Sequence, residues 1–327
     1  MPLCAGVWRP LTLGRSYGQT DMSNSAQLVS AVEFSSEGSV LRGRLFTPDV
    51  EGPTPGIVMA PGFSATSHFA VFERYARAIA AIGVAALLFD YRGFGPSEGE
   101  PRHEINAWNQ ARDYQSAVEF LRSLDQVDRN RVGIWGVSSS TSVASVVAAT
   151  DPTIAAVVLL VPAFGEELSP PDSDGTVFKT IKETVLNADI DSLDRTVVGP
   201  LPVVSADQLH NPSLVETLTA FRWFIESGGS FGTGWKNQAT HARLETPATF
   251  DPQVCIPRIS APILMVVARE DEESDADVAR DVFATASEPK QLVTVDGGHF
   301  GVLYPNTAEY ELSASTQQSF LQEHLII

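Results

Sequence analysis

Arg131-Val132-Gly133-Ile134-Trp135-Gly136-Val137-Ser138-Ser139-Ser140 is the stretch on which the fold turns. Its first half is a short apolar run suited to a buried strand, and from residue 139 to 150 small and apolar residues continue with helical character. A strand that feeds directly into a helix leaves room only for a sharp turn, and Ser138 falls at its apex. Such a turn holds the serine at a strained backbone angle with its hydroxyl clear of the sheet. Small residues are therefore needed two places before and two after it. Gly136 meets the first need; Ser140 stands where glycine is usual and brings a Cβ to a crowded contact. A serine-rich helix N-cap is the competing explanation of the same residues, and the surrounding pattern decides between them.

Working outward, residues 27–34 and 40–46 alternate apolar and polar side chains across the turn-prone Ser35-Ser36-Glu37-Gly38, which predicts an antiparallel hairpin. Short, largely apolar strand-like runs at 56–60, 84–89, 131–135 and 154–161 then alternate with helical patterns at 69–82, 107–124 and 139–150. Strands apolar on both faces, separated by amphipathic helices, predict a parallel sheet covered on both sides. The rhythm breaks at Pro162-Ala163-Phe164 and resumes with the apolar strand 262–268. A structureless loop of that length is improbable inside a compact domain. Leu214, Leu218, Phe221 and Ile225 fall at helical spacing within it, and 179–186 suits another helix, so the stretch is expected to be an inserted, mostly helical cap. A helix at 275–286, a strand at 291–295 and a closing helix at 307–324 complete the pattern. The expected organisation is a flexible extension over 1–21, core over 22–163, cap over 164–250 and core again over 251–327, with Met22 as an alternative start.

The 327 residues suffice for one large α/β domain, and 43% apolar against 19% charged residues is a globular composition. A formal charge of −18 opposes phosphate backbones and anionic lipid surfaces, so neither nucleic acid nor membrane is an expected partner. Cys4 and Cys255 are the only cysteines, which offers neither a disulfide framework nor zinc-ligand spacing and fits a reducing, cytoplasmic setting. No apolar run approaches the roughly 18 residues of a membrane span.

A serine nucleophile needs a base. Of six histidines, His299 has the distinctive setting, following the last expected strand in Val295-Asp296-Gly297-Gly298-His299-Phe300. His68, His103, His210, His241 and His324 fall on expected loops or helices in polar surroundings. The imidazole needs a carboxylate to fix its tautomer, and the strand ending at 268 runs into Arg269-Glu270-Asp271-Glu272-Glu273. Asp271 is the choice from chain order, with Glu270 and Asp275 as rivals. Acyl transfer also needs oxyanion donors; the Phe63 amide, after Pro61-Gly62, can join that of Ser139. The loop Gly93-Phe94-Gly95-Pro96-Ser97-Glu98-Gly99 imitates a dinucleotide fingerprint, but its third glycine is one place late and Pro96 lacks an amide.

From about residue 31 onward the sequence resembles the α/β-hydrolase superfamily, and within it the dienelactone-hydrolase-like branch that includes fungal polyketide hydrolases and transferases. The resemblance rests on Pro61-Gly62-Phe63, Asp90-Tyr91-Arg92-Gly93-Phe94-Gly95-Pro96-Ser97, Gly136-Val137-Ser138, Trp235-Lys236-Asn237, Asp271 and Gly298-His299-Phe300. Ser140, and Pro61 where many members carry histidine, depart from the usual pattern without removing a catalytic group. The resemblance implies a mostly parallel eight-stranded sheet flanked by helices, with Ser138, Asp271 and His299 as triad and Phe63 and Ser139 as oxyanion donors. The expected function is hydrolysis of a carboxylic ester, lactone or thioester of a small to mid-sized apolar substrate. Carbon–carbon hydrolysis or acyl transfer with the same triad, and a non-catalytic receptor on the same fold, are the alternatives. No cofactor and no metal are implied, and a homodimer is left open. Among the cap's aromatic residues, Phe164, Trp223 and Trp235 are the expected substrate contacts, against the alternative that they form the cap's own core.

Overall fold

The computed structural model describes residues 28–326; the expected extension over 1–21 and the alternative start at Met22 lie outside them. Strands β1 (Leu28–Ser36) and β2 (Ser39–Thr47) form the expected hairpin, pairing from Leu28 opposite Thr47 to Ser36 opposite Ser39. Glu37 and Gly38 close it with φ of 46° and 85°. Two successive positive φ values suit the right-handed twist of the strands they join, which is why glycine serves there.

The further strands are β3 (Thr54–Ala60), β4 (Ala85–Phe89), the short β5 (Glu104–Ile105), β6 (Val127–Val137), β7 (Val157–Leu160), β8 (Arg195–Leu201), β9 (Ala239–Leu244), β10 (Ile263–Ala268) and β11 (Lys290–Val295). The helices are α1 (Ala70–Ala80), α2 (Ala107–Arg122), α3 (Ser139–Thr150), α4 (Thr176–Asn187), α5 (Leu218–Gly228), α6 (Ala276–Ala284) and α7 (Ala308–Leu321). Eight strands make the main sheet in the order β1-β2-β4-β3-β6-β7-β10-β11. Only β1 with β2 and β2 with β4 are antiparallel; the rest of the sheet is parallel. Every residue of β3, β4, β7 and β10 is buried, as the unbroken apolar runs require of strands covered on both faces. Fully buried Trp135 on β6 donates its indole N–H to Gln317 of α7 at 2.8 Å, tying the closing helix to the sheet centre.

The register brings the site together. Ala60 pairs with Gly136, Val137 with Leu160 and Ala268 with Val295, so the loops after β3, β6, β10 and β11 leave from one edge of the sheet. Ligands of open parallel sheets bind at this carboxyl edge.

The stretch between β7 and β10, expected to be mostly helical, is mixed. It holds α4 and α5 but also β8 and β9, which form a three-stranded sheet with β5 from the segment before α2. Six of the seven residues of β8 are exposed, so it lacks the apolar alternation that marks a half-buried strand. Leu214 lies before α5, which starts only at Leu218, where Thr217 caps it by accepting the Ala220 N–H at 3.1 Å. The dinucleotide-like loop is structural: a Cβ on Gly95 would come 2.8 Å from the buried Asp90 carboxylate, which accepts the N–H and hydroxyl of Ser67 at 2.6 Å.

Candidate active site

At the end of β6, Ser138 adopts φ 53° and ψ −128°, the strained conformation its position demands. Gly136 is required beneath it, since a Cβ there would come 2.7 Å from the Ser140 carbonyl oxygen and 2.9 Å from Thr141 Cα. Ser140 does not merely fit. Its Oγ accepts the Val137 N–H at 2.8 Å and has the carbonyls of Ala60 and Val137 as acceptors at 3.0 and 2.9 Å. The residue that departs from glycine thus clasps the ends of β3 and β6 to the first turn of α3.

His299 reaches Ser138 across the sheet edge, with Nε2 2.9 Å from Ser138 Oγ. Its Nδ1 lies 2.9 Å from both oxygens of Asp271. Imidazole and carboxylate are each only 3% exposed at the side chain, so the contact is screened from water. Asp271 is oriented in turn: its Oδ1 accepts the N–H groups of Glu273 and Ser274, both at 2.9 Å. The two rivals go elsewhere. Asp275 caps α6 by accepting from Asp277 and Val278, and Glu270 is exposed, with its N–H bonded to the Gly297 carbonyl.

Two contacts that sequence reading missed hold this line in place. The Glu272 carboxylate accepts the His299 backbone N–H at 2.9 Å, and a Cβ on Gly298 would overlap that carboxylate. Gly298 is thus the residue that lets the β11 loop close on the β10 loop. Glu273 accepts the Thr217 hydroxyl, linking the Asp271 loop to the cap of α5. Burial raises the Glu273 carboxyl above its ordinary value, opposed by the Thr217 hydrogen bond and the nearby His299. The run of acids was visible in the sequence, but nothing in its spacing distinguished solvated acids from these tethers.

Ser139, as the first residue of α3, has no carbonyl one turn earlier to receive its N–H, and the helix N-terminus favours negative charge. Phe63 precedes a γ-turn at Ser64, which has φ 56° and is closed by the Ala65 N–H on the Phe63 carbonyl at 2.7 Å. Both residues line the same cavity as Ser138 and His299, of about 460 Å³. Trp223 lines it too, its indole N–H on the Leu303 carbonyl at 3.2 Å.

The other two aromatic expectations are not brought to the cavity. Phe164 is buried in the core with its carbonyl bonded to Gln253, and Trp235 stacks on Phe224 at 5.5 Å beside Phe69. Phe72, Phe224, Phe300, Leu214 and Leu303 supply the apolar wall instead. Asn237, from the same motif as Trp235, is structural: its amide exchanges two 2.9 Å hydrogen bonds with the backbone of Val204. Among the described residues, no group of three or more His, Cys, Asp or Glu side chains is arranged to hold a metal ion, and no helix is long and apolar enough to cross a membrane. Chemically, the arrangement offers a hydroxyl, a base in contact with it, a carboxylate behind the base and a partly apolar chamber in front.

A sequence model described as the alpha/beta hydrolase family matches residues 57–310. A thiohydrolase of Aspergillus aculeatus is 29% identical over 315 residues, covering 92% of this chain and 95% of its own. A polyketide transferase of a Penicillium species is 27% identical over 301 residues, covering 90% and 97%. The crystal structure of an alpha/beta hydrolase from a Penicillium species superposes with a TM-score of 0.68 at 24% identity, over 92% of this chain and 100% of that one.

Proposed function

The chain belongs to the alpha/beta hydrolase family, and we propose that within it the protein is a serine hydrolase cleaving a thioester, carboxylic ester or lactone of a small to mid-sized apolar acid through an acyl-enzyme. The observation that carries this reading is the hydrogen-bonded line from Ser138 Oγ through His299 to Asp271. As Ser138 Oγ attacks the carbonyl carbon, its proton passes to His299 Nε2, and Asp271 stabilises the imidazolium through Nδ1–H. The carbonyl oxygen takes the negative charge and receives hydrogen bonds from the Phe63 and Ser139 amides. His299 returns the proton to the leaving thiol or alcohol. Water, deprotonated by the same imidazole, then releases the acid. The insert between β7 and β10 supplies Trp223 and Phe224 to the acyl chamber and contains none of the reacting groups.

A second reading shares the acyl-enzyme and changes only the acceptor, handing the acyl group to an alcohol or amine rather than to water. Similarity to a polyketide transferase over nine-tenths of the chain favours it alongside hydrolysis. The test common to both is turnover of p-nitrophenyl butyrate and S-butyryl-N-acetylcysteamine. Ser138→Ala is expected to lose several orders of magnitude, and Ser139→Ala little. The reverse result would move the nucleophile one residue along; no turnover of any acyl ester by the intact protein would end the reading.

A further inference from the structure

Of the four loops that build the site, helix α5 is fastened to three, at both ends and in the middle. At its N-terminus the Thr217 hydroxyl, which accepts the Ala220 N–H at 3.1 Å, donates to the Glu273 carboxylate, and the Glu273 backbone N–H is held by Asp271 Oδ1 at 2.9 Å. At its middle the buried Trp223 donates its indole N–H to the Leu303 carbonyl of the His299 loop at 3.2 Å, and its ring lies 5.2 Å from that of Phe300. One turn on, Glu226 accepts the Tyr304 hydroxyl from the same loop at 3.0 Å. At its C-terminus the Gly228 carbonyl accepts the Thr233 hydroxyl. The Thr233 carbonyl in turn accepts the hydroxyl of buried Thr66, in the loop that carries Phe63, at 2.6 Å. The serine turn is the exception, clasped from the core side by Ser140 to β3 and β6. The same helix presents Trp223 and Phe224 to the chamber. An acyl chain that fills the chamber therefore packs on the element to which the acid, the base and one oxyanion donor are tied. Hydrogen bonds are short and directional, so they pass on a shift of the helix more strictly than apolar packing does. Contacts made far from the reacting bond can in this way be used to align it, and a small misplacement of a reacting group costs a large factor in rate.

We propose that α5 is a strut through which the acyl chain sets the alignment of Asp271, His299 and the Phe63 amide on Ser138, so that a longer acyl group speeds the chemical step and does not merely tighten binding. Glu273 and Thr66, at opposite ends of the strut, are its positioning residues. The proposal rests on the serine-hydrolase reading above.

The experiment measures single-turnover acylation, with enzyme in excess over p-nitrophenyl acetate or p-nitrophenyl butyrate. Release of p-nitrophenol then gives a saturating rate and a half-saturating concentration, neither of them masked by deacylation. In the wild-type protein the saturating rate for the butyryl ester is expected to exceed that for the acetyl ester about ten-fold. Glu273→Ala cuts the tether behind Asp271 and leaves Thr217 to cap α5; Thr66→Val removes the hydroxyl at the other end. Each should bring the ratio of saturating rates below about two-fold, with the half-saturating concentrations nearly unmoved. Glu273→Gln loses the same charge as Glu273→Ala but keeps an oxygen for the Thr217 hydroxyl, and Thr66→Ser keeps the donor to Thr233, so both should retain the wild-type ratio. A ratio near one in the wild-type protein overturns the proposal, and that result needs no variant to fold. A ratio that survives in Glu273→Ala or in Thr66→Val overturns it as well, because a strut must fail from either end. Loss of the ratio in Glu273→Gln would assign the effect to charge and likewise overturn it. Each of these outcomes leaves the esters cleaved and defeats this proposal alone. Absence of all cleavage by the intact protein defeats the hydrolase reading beneath it.

Discussion

Replacing Asp271 by Asn exchanges one oxygen for an amide group of nearly the same size, and the structure gives that exchange a definite consequence. Oδ1 of Asp271 accepts the N–H groups of Glu273 and Ser274 at 2.9 Å each. An asparagine must keep its carbonyl toward these two donors, because turning the NH2 there would leave donors facing donors at a cost of about 1–3 kcal/mol for each unsatisfied group. The NH2 then points at His299 Nδ1 and is satisfied only if that nitrogen carries the lone pair. Nε2 consequently bears the hydrogen and directs it at Ser138 Oγ, 2.9 Å away. The imidazole is present and correctly placed, yet it is no longer a base. The expected loss in kcat is on the order of 10⁴, the scale of this tautomer error in a Ser-His-Asp triad. The assay is p-nitrophenyl butyrate hydrolysis alongside thermal unfolding, and the melting temperature should hold within a few degrees because the loop bonds survive. A folded variant within about ten-fold of the wild-type rate would refute the reasoning.

Other substitutions probe the supports around this line. Ser140→Ala removes the acceptor of the Val137 N–H at a position 1% exposed, and is expected to cost about 1–3 kcal/mol in denaturant unfolding while kcat changes by only a few-fold; unchanged stability would show that the clasp does nothing. Gly298→Ala puts a Cβ against the tip of the exposed Glu272 side chain, which must swing off the His299 N–H, and is expected to lower kcat by only a few-fold; a loss of about a hundred-fold or more in a folded variant would mean that the loop itself moves and not the carboxylate alone. Trp223→Ala should shift the preference among acyl chain lengths by ~1–3 kcal/mol, whereas Trp235→Ala, away from the cavity lining, should lower stability and leave that preference alone. A preference that moves in Trp235→Ala and not in Trp223→Ala would invert the assignment of the chamber wall.

What the sequence made legible follows from how each feature is stabilised. Strands β3, β4, β7 and β10 are buried on both faces, so their apolar runs stood out from the amphipathic helices between them. The order Ser138, Asp271, His299 could be read because each residue follows a strand end, and parallel register carries those ends to one edge. Strand β8 was not legible: Val197 and Val198 are about half exposed and its partners are β9 and, through it, β5, more than ninety residues earlier in the chain. Nor did composition separate wall from core. Phe72 belongs to the buried face of α1 and also lines the chamber, whereas Trp235, in a motif that looked functional, packs on Phe224. Apolar side chains carry the same signature in either place, and only the fold decides which of them faces the cavity. Glu272 and Glu273 were read past for a related reason, since a carboxylate that tethers a backbone N–H looks in sequence like one that faces water.

Ser138 is the residue expected to become covalently attached to the acyl group. A fluorophosphonate reacts with a serine only when a neighbouring base activates it and an oxyanion site receives the phosphoryl oxygen, so peptide mass mapping after labelling addresses the whole arrangement at once. The predicted result is one adduct per chain, on the peptide containing Ser138, absent in Ser138→Ala and greatly slowed in Asp271→Asn. An adduct on another residue, or an unlabelled Ser138 in protein that still hydrolyses p-nitrophenyl butyrate, would contradict it.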